Sequence, residues 1–343
     1  METWTFKSGY PLVTITMDGK RQIWAKQGPL KAPCDSTEAW WIPLSFVSSD
    51  APATPKWAEL NACQSLRPLL PTLPKGGWVK VNAQQVGYYR VNYAPELWAA
   101  IIDGMSEKDG VTSAPVLRSV DVAGLLDDAF ALSEGGIADV GISTWLDLLR
   151  NLPKRPSIEY APWAVTLPAL YKVDDLVPCQ DAWRTFVRGS LIEPSMQQAG
   201  VSFVISDAMP VTSAEVGLLR PMMLRAAGYF GVASYGQEAF RLFESPNFVA
   251  TNASMNATID LDVRGVIYEI AARSSPDAER TFDEIKGRYI GATEVDEKER
   301  TLKSLAASPL AVPSLLDFAM TDAVRAQDLP SLIIATAASG GGS

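Results

Sequence analysis

The chain has 343 residues, 47% of them hydrophobic and 20% charged, with a formal net charge of −9 and no histidine. This is the composition of a globular protein long enough for two or more cores. The acidic balance, with no long basic run, excludes nucleic acid as a main partner, because phosphate binding needs clustered Lys and Arg.

The first ninety or so residues read as β. In Leu12 to Met17, Val13, Ile15 and Met17 alternate with Leu12, Thr14 and Thr16, the pattern of a half-buried strand. Asp18-Gly19 is a turn signal, with Arg21 to Gln27 as the partner run. Trp40 to Val47 is a third apolar run, and Ala51 to Pro74 reads as a Pro-rich connection. Trp78 to Asn82 alternates again, with Val79 and Val81 on one face. Gly87 to Tyr93 sets Tyr89, Val91 and Tyr93 against Tyr88, Arg90 and Asn92. Short strands at this spacing predict a small β-sandwich.

After Tyr93 the period changes. Pro95 opens a helix to about Met105. Ser113, before Ala114 and Pro115, is the N-cap expected for the next. Val116, Val120, Ala123, Leu126 and Phe130 give that helix its apolar face, and Gly135-Gly136 ends it. Further helices are predicted over about 143–151, 163–172, 178–191, 213–230, 235–243, 262–274 and 276–290, then in pieces after Glu294. Short helices with brief Pro/Gly-marked loops predict an α-superhelical stack of the HEAT or armadillo kind. The fold class is therefore multidomain β plus α. A β-sandwich domain is expected over 1–93, an all-α superhelical domain over 94–338 and a flexible tail over 339–343.

Chemistry-bearing residues are few. Cys34, Cys63 and Cys179 form no C-x-x-C and are odd in number, which reads as buried or free thiols in a reducing compartment and leans cytoplasmic, with a membrane-anchored or secreted parent as the alternative. Asn252-Ala-Ser254 and Asn256-Ala-Thr258 match the glycosylation triplet, a pattern frequent by chance. The apolar run Leu329 to Ala338 is too short to span a bilayer, and the N-terminus lacks a signal peptide's basic start and apolar core. Without imidazole the chain lacks the H-E-x-x-H helix of a zinc peptidase. Asp127-Asp128 could be a carboxylate pair, but neighbours on a helix point about 100° apart. A solvated face or pairing with Arg118 is expected instead. Arg90 is read as pairing with a carboxylate or carbonyl, Arg264 and Arg325 as helix-to-helix ion-pair partners, and Glu294 to Arg300 as a solvated helix start.

Several segments, taken in order, carry a family resemblance. They are Trp4 with Gly9-Tyr-Pro-Leu-Val13, Trp41-Ile-Pro-Leu44, Gly87-Tyr-Tyr-Arg-Val-Asn-Tyr93 with Trp98, and Arg118 with Leu125-Leu-Asp-Asp-Ala-Phe130. Arg264 with Val266-Ile-Tyr268, and Arg325-Ala-Gln-Asp328, follow. The ordered set resembles the C-terminal β-sandwich and helical domain of the M1 family of zinc aminopeptidases. The resemblance implies a chain that starts where the catalytic domain would end and stops before the helical domain would. No catalytic or metal residue can be carried over, so no cofactor is expected in this chain, and the resemblance leaves the substrate-binding residues open. Zinc is expected in the absent catalytic domain. The implied partners are that domain and peptides, with no nucleic acid and no membrane segment. The implied role is a non-catalytic module that closes the active-site chamber and gates or binds peptide. The alternative is a stand-alone helical-repeat interaction protein without peptidase activity.

Overall fold

The computed structural model describes residues 2–6, 8–30, 39–63, 66–105, 117–136, 140–155, 157–204, 214–245, 248 and 259–339. Ser113, Val116, Cys34, both glycosylation triplets and the last four residues of the tail lie outside the described residues.

After a one-turn helix α1 (Glu2–Thr5), the strands are β1 (Pro11–Met17), β2 (Ile23–Pro29), β3 (Ile42–Ser48), β4 (Ala51–Leu60), β5 (Arg67–Leu70), β6 (Val79–Val81) and β7 (Arg90–Tyr93). They form a four-stranded sheet in the order β5-β2-β1-β7 and a three-stranded sheet in the order β4-β3-β6. The β1–β2 hairpin has Met17 opposite Ile23, so five residues make the turn. Asp18 shapes it: its carboxylate accepts the backbone N–H of Lys20 at 2.9 Å and of Gln22 at 2.8 Å. Val13, Ile15, Ile23, Ile42, Leu44, Val79, Val81 and Val91 are buried and form the core. Gln27 is buried with them, its amide exchanging two hydrogen bonds with the backbone of Trp40 at 2.6 and 2.9 Å.

The Pro-rich stretch from Ala51 to Pro74 is more than the connection its composition predicts, since it carries β4 and β5. Both are edge strands. Proline cannot donate to a ladder and is tolerated at edges and bulges; Pro52 and Pro55 fall in the register break between the Phe46–Lys56 and Ser48–Ala51 pairs, and Pro68, opposite Trp24, lies beside the shift at Ile23 and Trp24. The cysteines also differ from expectation. Cys63 is disulfide-bonded, whereas Cys179 is free and exposed.

Strands give way to helices after Tyr93. They are α2 (Pro95–Met105), α3 (Ser119–Glu134), α4 (Ile142–Leu149), α5 (Tyr160–Leu176), α6 (Gln180–Val187), α7 (Glu193–Ala199), α8 (Ala214–Tyr229), α9 (Ala233–Phe243), α10 (Leu261–Ser274), α11 (Ala278–Gly291), α12 (Val295–Leu305), α13 (Ala311–Ala319) and α14 (Leu329–Ser339). A π-turn over Arg188–Ile192 joins α6 to α7. By compactness the chain forms two units that meet inside α5, one Met1–Ala169 and the other Leu170–Ser343. The first therefore includes α2, α3 and α4 as well as the sheets. In the second, α10 packs against α8, α9, α11 and α12. Gly228 permits the α8 approach, because a Cβ there would meet Ile270 Cγ1 at 2.3 Å. Asp174 is fully buried in this unit, held by the Arg184 guanidinium at 2.8–3.1 Å and by the Tyr229 hydroxyl at 3.0 Å.

At the strand-to-helix change, Tyr93 is buried and its hydroxyl accepts the Val81 backbone N–H at 2.9 Å, linking the two sheets. Its ring meets Trp98 of α2 edge-on at 4.9 Å. Tyr93→Phe would leave the Val81 N–H buried without that acceptor, so destabilisation of about 1–3 kcal/mol is expected in urea unfolding. A change within error would show that the hydroxyl is dispensable.

Candidate functional site

The strongest concentration of chemistry lies where the β6–β7 connection meets α3, wholly within the first unit. Backbone geometry there is unusual. Asn82, Gln84 and Gln85 have φ of 59°, 61° and 54°. Non-glycine residues in the left-handed region are held there only when surroundings over-determine them. Asn82 supplies part of that constraint, its amide bonding Gln85 Oε1 at 2.8 Å and Gly87 O at 2.9 Å while its oxygen accepts the Gly87 N–H at 2.9 Å. Asp121, in the first turn of α3, supplies more by accepting the Gln84 N–H at 2.7 Å. Gly124 completes the fit: a Cβ there would overlap Gln85 Nε2 at 1.0 Å.

Five charged side chains gather around this turn. Lys80 is almost wholly buried, donating to Asn82 O at 2.6 Å and lying 3.4 Å from Asp121. Arg90 Nη1 donates to Asp127 at 2.7 Å and to Asp128 at 3.0 Å. The second oxygen of Asp128 accepts the Val91 N–H at 3.1 Å, so α3 is tied to β7 through side chain and backbone alike. Arg90 Nε reaches the Tyr10 hydroxyl at 3.4 Å. This corrects the reading of Asp127-Asp128. Their partner is Arg90, while Arg118 is exposed. Although adjacent on a helix, they converge on one guanidinium nitrogen, which lies far enough from the axis to meet both.

Burial sets the electrostatics. It pushes the Asp128 carboxyl up to about 6, against the charges of Arg90 and Lys80 and the Val91 N–H, which favour the ionised form. Burial also pushes Lys80 down, with Asp121 and Asp128 opposing. Burial works against the charge of Arg90 too. The Tyr10 hydroxyl and the two carboxylates outweigh it and raise its pKa.

Beside the network opens a cleft of about 350 Å³, bounded by Tyr10, Gln85, Tyr88, Val120, Asp127 and Val165 among others. Tyr88 is exposed and meets Tyr10 edge-on at 5.7 Å. A second cleft, about 410 Å³, lies in the helical unit against Glu193, Gln197, Phe203, Tyr235 and Glu238. Its polar groups are partly engaged already: Glu238 pairs with Arg241 and the Tyr235 hydroxyl donates to Val201 O at 2.8 Å.

The remaining sequence candidates are structural. Arg264 of α10 is buried and lies 3.6 Å from Glu297 of α12, the expected helix-to-helix pair. Arg325 instead pairs locally, with Asp328 at 2.7 Å, because the intervening turn brings the two together. Glu297 departs from a solvated helix start, since it also accepts from the Tyr268 hydroxyl at 2.6 Å and Arg300 at 3.3 Å. Lys80 and Asp121 escaped sequence reasoning. The Val79-Lys-Val81 alternation sets Lys80 opposite the apolar pair, and its burial against Asp121 of α3 depends on a residue 41 positions away.

No histidine is present, and among the described residues no three Cys, Asp or Glu side chains form a group able to hold a metal ion. The described residues do not fit a catalytic zinc. No described helix is long and apolar enough to cross a membrane.

Comparison with known proteins gives these features a context. The family model of the ERAP1-like C-terminal domain matches residues 78–342. Aminopeptidase A of Gloydius brevicauda is 27% identical over 317 residues, 90% of this chain and 30% of its own length. The thyrotropin-releasing hormone-degrading ectoenzyme of Homo sapiens is 27% identical over 336 residues, 90% of this chain and 29% of that protein. Endoplasmic reticulum aminopeptidase 1 of Mus musculus is 24% identical over 351 residues, 97% of this chain and 34% of that protein. The chain spans about a third of the length of the curated relatives it matches.

The raised Asp128 value makes a pH prediction. Between the ordinary carboxyl value of 3.8 and about 6, the folded chain holds a proton on Asp128 that the unfolded chain releases. Protonation therefore stabilises the fold progressively as pH drops through about 6, with no further gain below about 3.8. Urea unfolding of wild type and Asp128→Asn should show their difference moving toward the wild type between about pH 7 and pH 4.5. Parallel pH profiles would refute the assignment.

Proposed function

From the premise that the chain belongs to the ERAP1-like C-terminal domain family, we propose that it is a non-catalytic module of an aminopeptidase of the M1 type. The observation that carries this reading is how the site's charges are used. Lys80, Arg90, Asp121 and Asp128 bind each other and the backbone, leaving no assembled metal site or general base among them. The parent reaction would be zinc-dependent release of N-terminal residues from peptides, with metal and base supplied by a catalytic domain beyond these residues. The module would close the active-site chamber and limit which peptides enter, acting through shape and domain closure. Support comes from the relatives, each an aminopeptidase or a hormone-degrading ectoenzyme by name and about three times as long.

The Cys63 disulfide favours an oxidising compartment over the cytoplasmic one that the cysteine count predicts. The stand-alone reading, a helical-repeat interaction protein, has no separate observation in its favour.

The isolated chain is expected to bind no stoichiometric zinc and to leave aminoacyl-coumarin substrates uncut. Elemental analysis after gel filtration, with a fluorogenic assay, tests both. About one tightly held zinc per chain, with hydrolysis lost on chelation, would defeat the proposal.

A further inference from the structure

We propose that the cleft between β7 and α3 accepts a basic side chain, lysine or arginine, from a partner polypeptide. Three independent features of the cleft converge on that chemistry.

The first is charge. Lys80 and Arg90 face Asp121, Asp127 and Asp128, so two cations meet three carboxylates. The network is one positive charge short of neutrality. The deficit surfaces at Asp127, the only one of the three whose side chain is substantially exposed, at 53%. Asp127 has a single hydrogen-bond partner among the described residues, Arg90 Nη1, which it shares with Asp128. One of its oxygens is left to accept from outside.

The second is an aromatic wall. Tyr88 is 73% exposed, held edge-on against Tyr10 rather than packed in the core. A ring presented to solvent beside a carboxylate suits a cationic head group, which gains from both the ring face and the charge. The third is the apolar floor. Val120, Ala123 and Val165 line the cleft, and Val120 is itself 44% exposed. Lysine and arginine carry aliphatic stems that lie along such surface while the head stays polar. The cleft's volume of about 350 Å³ has room for one such side chain. A metal ion is the poorer match, since no third ligand joins the two aspartates among the described residues.

The cleft belongs to one compact unit, and the assay needs neither zinc nor catalysis, so its outcome is separable from that of the preceding proposal. The probes are acetyl-Gly-Arg-Gly-amide and the same peptide with neutral citrulline for arginine, titrated into the full chain by NMR or calorimetry. The arginine peptide should bind at least about fivefold tighter than the citrulline peptide, and rising salt should narrow the gap. Asp127→Asn should bring the arginine peptide to the citrulline level, and Tyr88→Ala should weaken it as well. Both side chains are exposed enough for the variants to fold, which circular dichroism checks. Equal affinity for the two peptides, arginine-peptide binding unchanged by both variants, or no binding at roughly 10 mM would overturn the proposal.

Discussion

The constraint on which the first unit depends is the arginine of β7 held by two consecutive carboxylates of α3. A guanidinium cannot discard its proton, so it enters a half-buried place only with anions at hand. Asp127 and Asp128 meet that need, and Asp128 also takes up the Val91 N–H. The last strand of the sandwich and the first long helix after it are thereby fixed in register. Lys80 and Asp121 repeat the arrangement on β6 of the other sheet, deeper in the protein. The left-handed turn between β6 and β7 is pinned from both sides, which explains how three strained residues persist within four positions.

Much of the architecture was legible in the sequence because its signals are local. Alternation at Val13 and Ile15, the Arg90–Tyr93 part of the strand expected over Gly87 to Tyr93, and Gly135-Gly136 at the end of α3 each depend on near neighbours. What could not be read depends on distant ones. Pro52 and Pro55 argue against a strand unless it is known that the strand lies at an edge. Lys80 looks like a solvent-facing residue, yet it is buried against Asp121 of α3. The partner of Asp127-Asp128 lies 37 and 38 residues away in sequence, beyond any helical spacing rule. The cysteines show the same limit, since an odd count does not preclude one bonded pair.

On the proposed reading, the chain would serve as part of a peptidase without carrying its chemistry. The charges with most catalytic potential are used up in cohesion. Asp174 in the helical unit is another case, fully buried yet satisfied by Arg184 and Tyr229. Both oxygens of Asp128 are engaged, by Arg90 and the Val91 N–H, so its pairing serves to hold the surface around it in place. On that reading the module would offer a rigid wall against which a neighbouring domain closes.

The edge strand β4 has one more consequence. Ten residues long and largely exposed, with Trp57 turned to solvent, it has the dimensions of a template for intermolecular sheet growth. Pro52 and Pro55 interrupt its row of donors, and Lys56 and Glu59 place charge along it. An incoming strand would find neither a continuous ladder nor an uncharged surface. The prolines that disguise this strand in the sequence thus also protect the protein from polymerising through it.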